Sequence, residues 1–475
     1  MRNLPKHKTK LVCTIGPASD SPEMIEKMIN AGMNVARLNF SHGDFSSHGE
    51  VIQKIRAASK KTGKRVAILA DLPGPKMRIG DLAEEFVILE RDAGFILTAE
   101  DIIGTVERAS MTMKKLPGVV KKGNTLFLND GLIELRVEKV KDEDIYCTVI
   151  VGGKLRPRKG LNIPGIDLGT SAFTARDREC MQFALENGVD AVGQSFVDTA
   201  QDVLDVRSAA AKMGFNPFIV AKIERASVWE HIDGILEVTD GIMVARGDLG
   251  VEIPIEEIAV AQKTITARAN FFGVPVITAT QMLESMTGNR RPTRAESTDV
   301  ANAILGGTDA VMLSEESAMG DYPIEAVQML AKIAMATEPH RLTRHFELVL
   351  KPQATDYKPN AVDFLAFSIE NIIAKVDSPG AVLAPTSSGY MARSLTRFRL
   401  PVWIIAISSA LKTCQDLLFS YGVYPIHEKN KPKDWTVYAR DYAQGHDFKD
   451  TWFIKAEGPS ADHPEINHKM EIIEL

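Results

Sequence analysis

Cysteine is scarce in this chain: Cys13, Cys147, Cys180 and Cys414 stand alone among 475 residues, with no CxxC spacing. That excludes a thiolate zinc site of the usual pattern and fits a reducing compartment. Long apolar runs are missing as well, and no stretch approaches the roughly 18 uninterrupted residues that a membrane span requires. Met1–Lys8 has no apolar run behind its basic residues and does not read as a signal peptide. Positive charge is not in excess either. With 56 Lys and Arg against 62 Asp and Glu, the net charge of −6 argues against nucleic acid as a general partner, although local basic pockets remain open. No solenoid repeat or low-complexity tract interrupts the chain. The expected location is the cytoplasm, with neither nucleic acid nor membrane as partner.

What remains is a globular composition, 45% hydrophobic and 25% charged, too long for one ordinary core. Two or three domains are expected. Eight short, β-branched apolar runs recur, each followed by a turn and a helical period: Lys10–Thr14, Met33–Leu38, Val66–Asp71, Ala191–Val197, Phe218–Ile223, Gly241–Ala245, Val274–Thr278 and Ala310–Leu313. Continuous apolar runs joined by helices describe parallel strands buried on both faces, and eight such units predict a (β/α)8 TIM barrel. One long gap breaks the rhythm. Between Asp71 and Ala191, segments such as Thr125–Leu128, Ile133–Val137 and Ile145–Val149 are β-rich, with Asn129-Asp130-Gly131 and Gly152-Gly153 as turns. Residues 76–164 are read as a β-barrel lid domain inserted into a barrel catalytic domain of residues 1–75 and 165–342. Beyond it, residues 343–475 read as a C-terminal α/β domain for regulation or oligomerisation: a helix over Ala361–Ala374, strands at Gly380–Pro385 and Val402–Ser408, and a helix after Ser388.

In such a barrel the side chains at the C-terminal strand ends converge on one site. Those ends supply three cations, Arg37, Arg78 and Lys222, and three carboxylates, Asp71, Glu224 and Asp248. Paired carboxylates suit a hard divalent ion such as Mg2+, and the cations suit a phosphorylated anion. Phosphoryl transfer asks a protein mainly for positioning and charge stabilisation, which this set offers. Arg246–Gly250 reads as a glycine-rich turn whose amides could hold a carboxylate. Each residue alone has a plainer reading. Glu224 and Lys222 could be a structural ion pair, and Thr280 a helix cap. Six charges at four of eight strand ends is harder to dismiss, since burying them is costly unless they are paired.

Several long segments, in order, resemble signatures of the pyruvate kinase family: Lys10–Ser19, Asn34–Gly43, Ile277–Met286, Arg291–Glu296 and Asp299–Ala303. The resemblance is strong through the eighth strand, moderate in the insert and weak after about residue 400. It implies phosphoryl transfer from phosphoenolpyruvate to ADP, with Mg2+ (or Mn2+) as cofactor and a homotetramer as assembly. By the same resemblance Lys222 would stabilise the moving phosphoryl group, and Glu224 and Asp248 would hold the metal. Gly247, Asp248 and Thr280 would meet the substrate carboxylate and Arg37 its phosphate. Asn39, Ser41, His42, Arg78 and Lys159 would serve the nucleotide. Thr280 or water would protonate the enolate.

Departures from the family pattern carry their own expectations. Family members often place an acidic residue after the third strand to help hold a monovalent cation. Here Asp71-Leu72-Pro73-Gly74-Pro75-Lys76 puts an ammonium in that place. In the region of Asn39, Ser41, Asp71 and Leu72, Lys76 is therefore expected to replace K+; otherwise it simply faces solvent. Thr386, Ser387 and Ser388 lie where the family binds a phosphorylated effector, or cap the next helix. Tyr390 stands where activated relatives often carry a basic residue, and Glu457–Ala461 lacks the usual loop, which argues against a sugar bisphosphate. Glu315 replaces a common glycine without an evident role. A barrel lyase or aldolase using Mg2+ would explain Glu224 and Asp248 but not the insert or Lys159. A metabolite sensor that has lost catalysis should lack one of Lys222, Glu224 and Asp248.

Overall fold

The computed structural model describes residues 4–129, 131–166, 171–341, 359–376, 379–430, 432–446, 448, 452–459 and 467–475. The eight expected runs form one closed parallel barrel: β1 (Lys10–Thr14), β2 (Met33–Asn39), β3 (Ala67–Asp71), β4 (Ala191–Gln194), β5 (Phe218–Ile223), β6 (Gly241–Ala245), β7 (Val276–Ala279) and β8 (Ala310–Leu313). Each pairs with its neighbours in sequence, and β8 closes against β1. The continuous apolar character of the strands has a direct cause, because both faces are covered. Val12, Val35, Leu69, Val220, Met243, Ile277 and Met312 fill the interior. Leu11, Ile68, Ile219 and Ile242 pack outward under the helices.

Five strand limits differ from expectation; β2 and β7 each run one residue further, to Asn39 and Ala279. β4 ends at Gln194, because Phe196 adopts a left-handed backbone (φ 57°) and gives its N–H to Glu224 rather than to a strand. β7 begins at Val276, since Gly273 (φ 72°) and Val274 still cap the preceding helix, Ile258–Phe272, with Val274 N–H bonded to Ala269. Val66 lies outside β3, and its carbonyl accepts from the Arg56 and Gln415 side chains.

The long gap folds as a β-rich body with its own core. Six strands run in the order Leu161–Asn162, Thr125–Leu128, Ile133–Lys141, Asp144–Val151, Gly94–Thr98 and Arg108–Ser110. A two-stranded sheet pairs Val87–Leu89 with Gly153–Leu155. Alternating residues of Ile133–Val137 and Ile145–Val149 enter this core. Asn129 and Gly131 take the left-handed conformations of the expected turn, of which Asp130 lies outside the described residues. The second expected turn is narrower. Gly153 opens a strand, and only Gly152 lies between strands, where a Cβ would come 2.3 Å from the Leu89 carbonyl oxygen.

The C-terminal unit is a five-stranded sheet in the order Val423–His427, Trp403–Ser408, Pro379–Pro385, Trp452–Glu457 and Lys469–Glu474, the last antiparallel. Ala361–Ile373, Tyr390–Thr396, Leu411–Asp416 and Trp435–Gly445 are helical. A short 3-10 turn, Leu417–Phe419, reaches the barrel floor, where Phe419 stacks on Phe218 with ring centroids 4.6 Å apart. The expected domain limit at 342/343, with Ser460 and Ala461 of the tail, lies outside the described residues.

Candidate active site

Arg37 and Asp71 sit at the ends of neighbouring strands in adjacent register, because Leu69 pairs with Arg37 and Asp71 with Asn39. Arg37 Nε donates to Asp71 Oδ2 at 2.7 Å, and its other nitrogens reach the same oxygen at 2.6 Å and Thr14 Oγ1 at 2.9 Å. Lys222, the fifth residue of β5, lies 3.1 Å from Asp71 Oδ1 and 2.8 Å from Glu224 Oε1, and donates to Ser195 Oγ at 2.6 Å. The Ser195 hydroxyl passes its own hydrogen to the Leu72 carbonyl at 2.7 Å. Glu224 Oε2 receives the Phe196 N–H at 2.8 Å. The cluster is therefore a chain of alternating charges, Arg37–Asp71–Lys222–Glu224, buried at the mouth of the barrel.

Burial and charge compete in this chain. Burial alone would raise the Asp71 carboxyl, but Lys222 and Arg37 outweigh it and hold Asp71 below the usual range. Burial would lower Lys222, yet Asp71, Glu224 and Asp248 keep its ammonium well above the ordinary lysine value. Glu224 is pushed up, first by burial and then by Asp248, against the pull of Lys222.

Arg246–Gly250 is not a glycine-rich turn. It opens a seven-residue helix, Arg246–Glu252, directly after β6. The free amide expected at Gly247 is already engaged, donating to Thr280 Oγ1 at 2.8 Å. Thr280 thus caps a neighbouring helix. Its own backbone is left-handed (φ 67°), as is that of Gln281 (φ 52°). Arg246 bonds the Thr280 carbonyl at 2.7 Å and Asp299 Oδ2 at 2.6 Å, so it helps to hold that unusual turn. Asp248 is half-buried in the first turn of the helix, 3.5 Å from Lys76 Nζ. Lys76 therefore faces Asp248, with no direct bond to Asp71. Leu72 is buried, its carbonyl held by Ser195 and its N–H by the Gly193 carbonyl.

The expected nucleotide residues form a more exposed shell. Asn39 Oδ1 accepts the Ser41 N–H at 3.1 Å. His42 is held below its ordinary value first by desolvation and then by Arg78, Arg37 and Lys76, while Glu315 pulls the other way. Three expected cations thus act on His42 electrostatically, and so does Glu315. Arg78 pairs with Gly160 and donates to the Arg158 carbonyl at 2.9 Å. Lys159 is half-buried, its carbonyl fixed by the Ile79 N–H. The Thr386, Ser387 and Ser388 loop is separate and caps itself: Thr386 Oγ1 accepts from Gly389 N–H at 2.8 Å, Ser388 Oγ from Tyr390 N–H at 3.4 Å, and the Ser387 carbonyl from Thr413.

Glu224 and Asp248 fit a hard divalent cation in chemistry, as oxygen donors converging near Lys222. Among the described residues no group of three His, Cys, Asp or Glu side chains could hold a metal alone, so further ligands would come from substrate and water. Sequence reasoning missed Ser195, hidden inside an overlong strand, and Thr14, which steadies Arg37. It also missed Glu252, at the end of the Arg246–Glu252 helix, whose carboxyl burial pushes up to about 7.

A closed (β/α)8 barrel with a buried ammonium between carboxylates, an arginine beside it and an insert after β3 defines a barrel enzyme for phosphorylated anions. Comparison with known proteins narrows this class. Residues 6–327 match the family model described as pyruvate kinase, barrel domain, and residues 366–448 match pyruvate kinase, alpha/beta domain. A pyruvate kinase of Thermococcus litoralis is 48% identical over 423 residues, 89% of either chain. One from Geobacillus stearothermophilus is 43% identical over 88% of this chain and 71% of its own length. The crystal structure of a pyruvate kinase from Cryptosporidium parvum superposes with a TM-score of 0.89 at 33% identity, covering 99% of this chain and 96% of that one. The chain belongs to the pyruvate kinase family.

Proposed function

We propose that the strand-end cluster transfers the phosphoryl group of phosphoenolpyruvate to ADP, giving ATP and pyruvate. The family makes the chain a phosphotransferase with these two substrates and a divalent metal requirement. The observation that carries the residue assignment is Lys222, a buried ammonium held between Asp71 and Glu224. In this reading Lys222 and Arg37 stabilise charge on the phosphoryl group as its bond to the enol oxygen breaks and a bond to the terminal ADP oxygen forms. Glu224 and Asp248 would hold the divalent ion, Mg2+ with Mn2+ as substitute, and it would supply positive charge to neutralise the substrates' oxygens. Gly247, Asp248 and Thr280 place the carboxylate end. Asn39, Ser41, His42, Arg78 and Lys159 receive the nucleotide, with residues 76–164 acting as lid on a catalytic domain of residues 1–75 and 165–342. The enolate left behind is protonated at carbon, by Thr280 or a water it orients. Residues 343–475 serve regulation and assembly into a homotetramer.

The same reading makes K+ dispensable. Lys76 sets a tethered positive charge beside Asp248, where a monovalent cation would otherwise balance the carboxylates. The test is ATP formation from phosphoenolpyruvate and ADP with Mg2+ in buffer free of K+ and Na+. Full turnover is expected, with Lys76→Glu acquiring K+ activation. Strong K+ activation of the parent enzyme would sink the Lys76 assignment, and absence of ATP formation in any salt would sink the whole reading.

A further inference from the structure

β4 ends at Gln194, and Ser195 with Phe196 forms the elbow that leaves it. The left-handed backbone of Phe196 (φ 57°) is costly for an aromatic residue and persists only where the surroundings impose it. The elbow brings two groups to β5 and the turn behind it. The Phe196 N–H reaches Glu224 Oε2 at 2.8 Å, and Ser195 Oγ receives the Lys222 ammonium at 2.6 Å.

Ser195 is 2% exposed, and its neighbours decide which way the hydroxyl works. Its one hydrogen goes to the Leu72 carbonyl at 2.7 Å, so only lone pairs are left for Lys222. The Leu72 carbonyl is itself placed, because the Leu72 N–H bonds the Gly193 carbonyl at 2.9 Å. The Gln194 side-chain amide fixes the Ser195 carbonyl at 2.8 Å and the Ala172 carbonyl at 2.7 Å. Gly74 (φ 67°) presses on the same elbow: a Cβ there would lie 2.8 Å from Ser195 Cβ and from a ring carbon of Phe196.

Three acceptors thus surround the ammonium: Asp71 Oδ1 at 3.1 Å, Glu224 Oε1 at 2.8 Å and Ser195 Oγ at 2.6 Å. They differ in kind. The carboxylates balance charge, and attraction between point charges depends on distance rather than direction. A lysine ammonium is a compact charge on a flexible four-carbon stem, so the carboxylates alone leave its aim loose. Ser195 is the nearest of the three, the neutral one, and the one whose lone pairs are oriented by a bond of its own.

We propose that Ser195 is a positioning residue for the phosphoryl transfer, its hydroxyl aiming the Lys222 ammonium at the moving phosphoryl group. This role rests on the catalytic reading of Lys222, and Ser195 acts through Lys222 without touching substrate. The plainer role is that of a strand-end cap, for which the bond to Leu72 matters and the bond to Lys222 does not.

A double-mutant cycle on ATP formation from phosphoenolpyruvate and ADP with Mg2+ separates the two. Ser195→Ala is expected to lower kcat roughly tenfold to hundredfold, the span of a hydrogen bond to a charged group, with KM for either substrate changed less than about twofold. In a Lys222→Met background the same substitution is expected to cost nothing further, because no ammonium is left to aim. Equal losses in both backgrounds, a loss confined to KM, or parental kcat in Ser195→Ala overturns the role. Lys222→Met alone tests the reading beneath it. If that variant keeps parental turnover, the catalytic reading fails; if it loses turnover while Ser195→Ala does not, only the role of Ser195 fails. Should Ser195→Ala not fold, Ser195→Cys keeps the bulk, puts a weak acceptor in place of a good one, and passes through the same cycle with the same deciding results.

Discussion

At the scale of single residues, the cluster depends on Lys222 serving two carboxylates. Replacing it with methionine removes the cation that faces the moving phosphoryl group, and loss of one such electrostatic contact costs about 10²–10³ in kcat. It also leaves Asp71 with Arg37 alone and Glu224 without its ion pair. In the parent, the depressed Asp71 carboxyl adds stability above its unfolded value of 3.8, and this is lost as acid protonates it. In Lys222→Met both carboxyls would rise, so the variant's stability deficit should grow toward alkaline pH and shrink in mild acid. Turnover assays with thermal melts across pH check both halves; unchanged kcat would remove Lys222 from catalysis. This much of the site was legible in sequence because charged side chains at strand ends announce themselves. Thr14, Ser195 and the Thr280–Gly247 bond were not legible. Their hydroxyls work across strands distant in sequence, and a hydroxyl near a strand end carries no pattern of its own.

At the scale of elements, all eight barrel strands were legible, since two buried faces demand unbroken apolar runs. Their ends were less so, because Phe196, Gly273 and Val274 are fixed by bonds to other elements. The Arg246–Glu252 helix shows the same limit: two glycines in five residues read as a turn, while Thr280, from outside the local pattern, stabilises a helix. Its last residue, Glu252, joins three elements. The N–H groups of Ala226, just past Glu224, and of Gly165, at the exit of the insert, favour its charged form. Burial first, with Asp248 adding to it, raises its pKa from 4.5 to about 7, against the pull of Arg225 and the two N–H groups. A carboxyl raised in the folded state costs stability as pH climbs from its unfolded value to its folded one. At about 1.4 kcal/mol per unit that cost reaches about 3 kcal/mol. Glu252→Gln, studied without metal or substrate, should therefore be more stable than the parent above pH of about 7 and equal to it below about 4.5. Denaturant titrations across this range measure it, and a constant difference at every pH would mean Glu252 does not titrate in that window.

At the scale of the whole molecule, the question is what joins the barrel to the C-terminal unit. Two devices meet at the floor. One is apolar: Leu418 and Phe419 enter the barrel interior, with Phe419 on Phe218. The other is ionic. Arg399, from the C-terminal unit, meets Asp309, the residue before β8, at 2.6 and 2.7 Å, and donates to the Gly307 carbonyl, with both side chains 1% exposed. Asp309 also accepts the Tyr421 and Val276 N–H groups. Sequence gave no sign of this pairing, because the partners lie 90 positions apart in different units. A fully buried pair is weak evidence for net stability, yet breaking it from one side is expensive, about 3–5 kcal/mol, because a charge is left buried alone. Arg399→Met should thus lower the denaturation midpoint sharply, while Arg399→Met with Asp309→Asn, which removes both charges, should recover part of the loss. If the single variant loses less than about 1 kcal/mol, the pair is dispensable; a Phe419→Ala variant would then carry the larger cost, about 3–5 kcal/mol for an aromatic removed from a core.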